Sequence, residues 1–443
     1  MKTPVVDFIK NYIGEDFARL HMPGHKGQTF LGPEKWDITE IHGAGNLYDA
    51  EGIIAESEEN ATALFGSGHT FFSAGGSSQS IRAMLYLAVQ NYKHGKPVIV
   101  AARNVHKAFI YSAAMLDFDV HWLYPKGDMR SLCSCEISAE DLEKELTSLE
   151  RPAAAVYITS PDYLGGQADI KALAEVCHRN GTILLVDNAH GAYLKFLDKS
   201  QHPLDLGADM CCDSAHKTLP VLTGGSYLHI SKSADDVFIK NAKAALEMFG
   251  STSPSYLIMA SLDMCNAYLA EGYVKKLTLA VGNCDVVKAE FAQNGWQIER
   301  TDPLRITVCT PCGVTGEELA EKLREHKIEC EFADPDYLVL MITAENDAAE
   351  VYEAARVIGV NTKPYSKKAP LQKVQGVQEM SVRNALMAPS EKVRVKDALG
   401  RICHTAGVGC PPAIPIAVPG EVIDESAVKL MEYYGVEYID VVL

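Results

Sequence analysis

Helix-like and strand-like segments alternate from about residue 79 to residue 187, and this alternation restricts the possible folds more than any other feature of the chain. The amphipathic pattern of QSIRAMLYLAVQNYKH is followed by the apolar run PVIVAA. The same alternation continues through ISAEDLEKELTSL, a predicted helix that Ser138 caps, and the predicted strand AAVYIT, as far as TILLVD. Strands that are apolar on both faces and separated by helices predict a parallel sheet with helices on both sides. We therefore expect a doubly wound α/β fold with its site at the carboxyl ends of the strands.

The pattern changes at about residues 270 to 285, which indicates a second domain. Shorter helices and strands then follow, from DVVKAEFAQNGW to DAAEVYEAARVIG, and they predict a smaller mixed α/β domain. We expect an N-terminal segment and a large domain over residues 1–275, and a small C-terminal domain over residues 276–443. A chain of 443 residues is long enough for two domains with sizeable cores.

Charge and composition exclude several classes of protein. Acidic residues outnumber basic ones by 58 to 41, and the basic residues form no cluster, so we expect no nucleic-acid partner. The first twenty residues contain no uninterrupted apolar segment, and no later stretch reaches the length of a membrane span. The sequence therefore predicts a cytoplasmic protein without a membrane partner, in which the 12 cysteines are reduced thiols.

Three spacings could suggest a metal site, and each has a simpler interpretation. The CxxC at 309–312 and the CxC at 133–135 have no second pair at the spacing of a zinc ribbon. His21 and His25 are four residues apart, but Pro23 lies between them and makes a continuous helix unfavourable. We predict no metal and expect HMPGHKG to form a loop near the active site.

Two segments at predicted strand ends have the chemistry of a cofactor site. SAGGSSQS, residues 73–80, precedes an amphipathic helix and offers N–H groups, hydroxyls and a helix dipole to a phosphate, although such a segment can also be a purely structural helix start. RNVHKAF places His106 directly after PVIVAA. An imidazole there can stack on a flat ring or lie at the surface.

Asp187 and Lys217 complete the pattern. Asp187 ends the strand in ILLVD, where a carboxylate can pair with a cation or cap a turn. Lys217 lies in CCDSAHKTLPVLTGG, and a desolvated lysine amine is a good nucleophile toward an aldehyde. Pyridoxal phosphate accounts for all four features, because it presents an aldehyde, a pyridine nitrogen, a phosphate and a ring face.

SAHKTLP with the downstream GGSYLH resembles the cofactor-lysine segment of the ornithine/lysine/arginine decarboxylase family. HMPGHKG, RNVHK, STSPSYLIMASLD and CPPAIPIAVPGE are similar to further signatures of that family and occur in the same order. The resemblance covers residues 21 to about 425. It implies a fold type I pyridoxal-phosphate enzyme with a mostly parallel sheet and a smaller C-terminal α/β domain, in the short form without an N-terminal wing domain.

The resemblance also implies roles for individual residues. Lys217 is the residue that forms a Schiff base with the cofactor, Asp187 the partner of the pyridine nitrogen, and His106 the residue that stacks on the ring. The other residues that it assigns to the cofactor of the same subunit are Ser77, Ser78, Ala189, His190, Ser214 and His216.

The resemblance extends to the substrate and to a second subunit. Ser251 and Thr252 are expected to touch the cofactor phosphate of a neighbouring subunit, in a homodimer or higher homo-oligomer with shared active sites. Glu331 resembles the acid that binds the cationic end of the substrate, and His25 is expected nearby. Glu329 and Glu331 are predicted to lie on one face of a short strand in IECEF, and the alternative is that both are solvated carboxylates at the edge of that strand.

The implied reaction is decarboxylation of lysine, ornithine or arginine to the amine and CO2. The same cofactor supports transamination and β-elimination, so an aminotransferase or a carbon–sulfur lyase is the alternative enzyme, and a regulatory protein on this fold is the alternative outside enzymes. Two positions depart from the family pattern and could alter substrate choice. Asn188 stands where an acid or a serine is more familiar, and Cys410 where an aromatic residue often precedes the Pro-Pro pair.

Overall fold

The computed structural model describes residues 1–125, 129–363, 368, 370–371, 374–407 and 414–443. Cys410 and the Pro-Pro pair after it lie outside the described residues. The chain divides into two compact units, of which the first contains Met1–Asn91 and Ile183–Leu277 and the second contains Tyr92–Thr182 and Thr278–Leu443. The domain division at residues 275 and 276 stays a prediction.

The helices are α1 (Pro4–Gly14), α2 (Ile53–Phe65), α3 (Gly76–Gln90), α4 (Lys107–Leu116), α5 (Ala139–Ser148), α6 (Ile170–Arg179), α7 (Ala215–Thr218), α8 (Asp236–Met248), α9 (Tyr256–Ala270), α10 (Tyr273–Gln293), α11 (Gly316–Glu325), α12 (Ala348–Ile358), α13 (Val382–Met387) and α14 (Glu425–Tyr433). The strands are β1 (His69–Ser73), β2 (Val98–Ala102), β3 (Asp119–Leu123), β4 (Ala155–Thr159), β5 (Leu184–Asp187), β6 (Met210–Asp213), β7 (Ser226–Ile230), β8 (Gln297–Ile298), β9 (Arg305–Cys309), β10 (Phe332–Ala333), β11 (Tyr337–Met341), β12 (Ser390–Arg394) and β13 (Tyr438–Val442). In the described part of the chain, no helix has the length and apolar character that a membrane span requires.

The first unit contains strands in the order β1, β7, β6, β5. Strand β5 pairs with β6 in parallel, whereas β7 is antiparallel to both β6 and β1. Strands β1, β5 and β6 therefore run in the same direction, and their carboxyl ends meet at one edge of the sheet. Every residue of β5, β6 and β7 is buried. Burial on both faces is why β5 is a continuous apolar run up to Asp187 rather than an alternation of apolar and polar residues.

The second unit contains three parallel strands in the order β4, β2, β3. It also contains an antiparallel sheet in the order β10, β11, β9, β8 and the antiparallel pair β12 and β13. The predicted capping of α5 is present, since Ser138 accepts a hydrogen bond from the Asp141 N–H at 3.1 Å.

The strand predicted in IECEF is shorter than expected, and neither glutamate belongs to it. Strand β10 begins at Phe332, after Glu331. The Ile328 N–H donates to the Leu323 carbonyl at 3.0 Å and so ties the start of this segment to the end of α11. Asp334 then turns the chain back by accepting from the Tyr337 N–H at 2.7 Å. Between these two attachments the Glu331 N–H donates to the Val339 carbonyl of β11 at 3.0 Å, but Glu329 lies before the paired residues. The prediction that both glutamates lie on one face of a strand was therefore wrong.

Candidate active site

The carboxyl ends of β1, β5 and β6 bring together segments that are far apart in the sequence. Asp187 ends β5, Asp213 ends β6 and Ser73 ends β1, and the register places Asp187 opposite Cys212. The residues that follow these three strands therefore share one edge of the first unit. They include most of the predicted cofactor residues: Ser77, Ser78, Ala189, His190, Ser214, His216 and Lys217.

Lys217 lies on the short helix α7 and is in hydrogen-bond contact with His190. The distance between Lys217 Nζ and His190 Nε2 is 2.8 Å. Because the lysine nitrogen is the donor, His190 Nε2 accepts, and a neutral ring then carries its hydrogen on Nδ1. The sequence pointed to both residues but gave no indication that they are partners, because 26 residues lie between them.

Asp187 is 2% exposed, and neighbours on β6 and in the turn after β5 orient it. Its Oδ1 accepts from the Ala189 N–H at 3.2 Å and lies 3.7 Å from Cys212 Sγ. Burial, followed by the nearby carboxylates, raises the pKa of the Cys212 thiol well above its usual value. The thiol therefore stays protonated and acts as a donor to Asp187.

Ser214 supplies the observation that tests whether a phosphate fits here. Its side chain is fully buried, and its hydroxyl oxygen has no hydrogen-bond partner among the residues that the structure describes. A buried hydroxyl without a partner is unfavourable, so Ser214 is suited to an external acceptor. Ser77 and Ser78 lie in the first turn of the 15-residue helix α3, whose leading N–H groups have no acceptor within the helix.

His216 and Gln79 hold the surrounding loops. The backbone N–H and the Nδ1 of His216 lie 3.2 and 2.9 Å from the Gly225 carbonyl, so the ring hydrogen is on Nδ1. Burial lowers the pKa of His216. Gln79 Oε1 accepts from the Gly75 N–H at 2.9 Å and from the Ser73 hydroxyl at 2.8 Å, which fixes the turn before α3. Sequence reasoning missed Gln79, although it lies within the quoted SAGGSSQS segment.

These residues fit pyridoxal phosphate. Lys217 matches the aldehyde of the cofactor, and Asp187 matches its pyridine nitrogen. The buried Ser214 hydroxyl, which has no partner within the described ranges, and the first turn of α3 match its phosphate. The assignment of individual residues to the cofactor stays a prediction.

Three predicted residues of the first unit lie in other surroundings. Ser251 is exposed, and its carbonyl accepts from the Tyr48 hydroxyl at 3.0 Å. Thr252 is also exposed, so both residues are accessible, and their contact with a neighbouring subunit stays a prediction. His25 Nδ1 accepts from the Gly27 N–H at 3.0 Å, which leaves Nε2 to donate to Asp37 Oδ2 at 3.1 Å.

His106 and Glu331 belong to the second unit. His106 is the N-cap of α4, and its Nδ1 accepts from the Ala108 N–H at 3.2 Å. Glu331 is half-buried and accepts from the Tyr163 hydroxyl at 2.9 Å. Burial, reinforced by Glu331, raises the pKa of Tyr163, so this hydroxyl keeps its hydrogen. The tyrosine therefore orients the Glu331 carboxylate, a contact that the sequence did not reveal.

The chain matches known proteins over most of its length. Residues 3–347 match the family model "Orn/Lys/Arg decarboxylase, major domain", and residues 362–437 match "Orn/Lys/Arg decarboxylase, C-terminal domain". The chain is 30% identical to an arginine decarboxylase of Halalkalibacterium halodurans, over 96% of this chain and 92% of that protein. It is also 30% identical to an arginine decarboxylase of Bacillus subtilis, over 97% of this chain and 92% of that protein.

Solved structures show the fold. The constitutive lysine decarboxylase of Escherichia coli superposes with a TM-score of 0.76 at 17% sequence identity, over 100% of this chain and 82% of that chain. The prediction of a fold type I architecture with a C-terminal α/β domain is confirmed.

Proposed function

The chain belongs to the Orn/Lys/Arg decarboxylase family, and on this premise we propose that its substrate is a basic amino acid, namely arginine, lysine or ornithine. Membership of the family makes it a pyridoxal-phosphate-dependent amino-acid decarboxylase. Both relatives at 30% identity are arginine decarboxylases, which makes arginine the first substrate to test.

The observation that carries the proposed decarboxylase chemistry is the 2.8 Å contact between Lys217 Nζ and His190 Nε2. An amine is a nucleophile only when it is neutral, and an imidazole nitrogen that accepts from it is placed to take its proton. Pyridoxal phosphate, when bound, supplies an aldehyde that condenses with amines and a ring that withdraws electrons from the carbon that loses CO2. In this proposal His190 holds the proton that Lys217 gives up.

Asp187 and the phosphate-binding residues hold the reacting groups in position. A buried carboxylate is poorly screened, so Asp187 would favour a proton on the pyridine nitrogen of the bound cofactor. Ser214, His216, Ser77 and Ser78 would bind the phosphate and fix its distance from Lys217. Such fixed positioning replaces an encounter in solution and accounts for a large part of enzymatic rate enhancement.

The substrate's cationic end requires a carboxylate, because an unpaired buried charge is strongly unfavourable. We assign this role to Glu331, which Tyr163 orients at 2.9 Å, with His25 as a second residue near the substrate. His106 would cover one face of the cofactor ring, with Ala189 against the ring as well.

The proposed active unit is a homodimer in which Ser251 and Thr252 reach the neighbouring subunit's phosphate. Mixing two inactive variants, Lys217→Ala and a Ser251→Ala Thr252→Ala double variant, tests this arrangement. Recovered activity supports shared sites, and no recovery in confirmed mixed dimers contradicts them.

The decisive experiment offers the purified protein, with pyridoxal phosphate, each basic amino acid and a set of uncharged ones. CO2 and amine are measured together with ammonia and keto acid, and Lys217→Ala is the control. We expect CO2 and amine in equal amounts from a basic amino acid. Keto acid or ammonia without CO2 would indicate an aminotransferase or a carbon–sulfur lyase. Cofactor binding without any turnover would indicate a regulatory protein.

A further inference from the structure

A second aspartate lies at the same edge of the first unit as Asp187 and has no role in the proposed mechanism. Asp213 is the last residue of β6 and is fully buried. Its Oδ1 accepts from Asn188 Nδ2 at 2.6 Å, and its Oδ2 accepts from His202 Nε2 and from His229 Nε2, each at 3.1 Å. We call Asp213, Asn188, His202 and His229 the Asp213 cluster.

The Asp213 carboxyl is ionised in this cluster. Burial raises its pKa, but His202 and His229 together outweigh burial and hold the pKa below its usual value. A carboxylate can only accept hydrogen bonds, so both imidazoles carry a hydrogen on Nε2. Burial lowers the pKa of His229, and its Nδ1 lies 2.8 Å from the Thr70 hydroxyl, which can donate to it.

Asn188 connects this carboxylate to the candidate site. Its backbone N–H donates to the Cys212 carbonyl at 3.0 Å, so the residue is bound to β6 by its main chain as well as by its side chain. Its carbonyl accepts from the Gly191 N–H at 2.8 Å and closes the turn 188–191. That turn directly follows Asp187 and carries His190, the partner of Lys217.

We propose that Asp213 is a positioning residue, which acts through Asn188 to hold the turn 188–191 and thereby the orientation of Asp187 and His190 toward the cofactor. The inference rests on the proposed function of those two residues. His202 and His229 fix the second oxygen of Asp213, so the carboxylate cannot rotate away from Asn188. The cluster also explains why position 188 is an amide: a second acid there would face the Asp213 carboxylate, whereas an amide donates to it.

A buried metal ion is the other use of these residues. Ligand atoms of His202, Cys211 and Asp213 lie within 4.8 Å of one another. The Nε2 hydrogens of both histidines are already directed at Asp213, however, and burial raises the pKa of the Cys211 thiol well above its usual value. A protonated thiol is a poor metal ligand, so the hydrogen-bond network is the better interpretation.

The test exchanges the donor and the acceptor. Asn188→Asp places two carboxylates against each other. Adding Asp213→Asn should repair the contact, because the amide at position 213 donates to the carboxylate at position 188. The oxygen of that amide still accepts from both imidazoles. Pyridoxal phosphate affinity is measured by absorbance titration, together with borohydride labelling of Lys217 and thermal unfolding of the apoprotein. Asn188→Ala removes only the side-chain contact and serves if Asn188→Asp does not fold.

We expect Asn188→Asp to weaken cofactor binding by about tenfold or more, as loss of a hydrogen bond to a charged group implies. The double variant should return to within about threefold of wild type. The matched control is Asn266→Asp, since Asn266 is also fully buried in the first unit but donates to Ser57. Asn266→Asp should lower the melting temperature, and adding Asp213→Asn should not reverse its effect.

The proposal is overturned if Asn188→Asp, or Asn188→Ala in its place, binds the cofactor like wild type. It is equally overturned if the double variant is no better than Asn188→Asp, or if the protein contains stoichiometric zinc that is lost in His202→Ala. Wild-type protein that is not labelled at Lys217 contradicts the proposed function instead, so the two failures are distinguishable.

Discussion

Replacement of His190 by phenylalanine probes the contact on which the proposed function depends. His190→Phe keeps a ring of similar size in a position that is 5% exposed, but it removes the nitrogen that lies 2.8 Å from Lys217 Nζ. A hydrogen bond to a charged partner in such a site contributes about 1.5 to 3 kcal/mol. That energy corresponds to roughly 10- to 150-fold in a rate or equilibrium constant.

We therefore expect His190→Phe to slow both covalent attachment of pyridoxal phosphate to Lys217 and turnover by about tenfold or more. Attachment is followed by absorbance after mixing apoprotein with cofactor, and turnover by release of CO2 from the best basic amino acid. The control is His121→Phe, which removes an imidazole at the same 2.8 Å distance from a charged partner, Glu145, in the second unit. An attachment rate in His190→Phe within about twofold of wild type would refute the assignment of His190 as the proton acceptor.

Three further predictions concern carboxylates. Asp187→Ala should keep the fold and the covalent cofactor but nearly abolish CO2 release. A carboxylate beside the pyridine nitrogen would raise the pKa of that nitrogen by roughly 1 to 3 units, and the variant loses this effect. Normal turnover would exclude the pairing of Asp187 with the pyridine nitrogen. Glu331→Gln should raise KM for the basic substrate about tenfold, as about 1.4 kcal/mol of lost pairing implies, and an unchanged KM would exclude this residue as the tail-binding acid. Burial raises the pKa of Asp263, which accepts from the Val6 N–H and the Ser57 hydroxyl, from 3.8 to about 6. Because the folded state binds this proton more tightly than the unfolded state, wild type should lose about 2 kcal/mol relative to Asp263→Asn as pH rises from about 4 to about 6; parallel unfolding curves at pH 4 and 7 would contradict this.

Local features of the sequence predicted most of the elements. PVIVAA, AAVYIT and TILLVD correspond to β2, β4 and β5, and the cap at Ser138 is where the sequence placed it. Each of these features depends on residues that are near one another in the chain, so their pattern is visible without the fold. The strand in IECEF was wrong because Ile328 is attached to the end of α11, a contact that periodicity does not encode.

The sequence by itself also identified the family and the residues with cofactor chemistry, because segments such as SAHKTLP keep their order and spacing whatever the surrounding structure. It did not reveal which of these residues are partners. The Lys217–His190 contact and the Asp213 cluster depend on β7 lying antiparallel between β1 and β6, with β5 on the far side of β6. Only that strand order brings Asn188, His202 and His229 to one carboxylate, because the positions of residues tens of positions apart are decided by sheet pairing and burial rather than by local preference. The sequence determined the chemical groups of the candidate site, and the tertiary structure decided which of them act on one another.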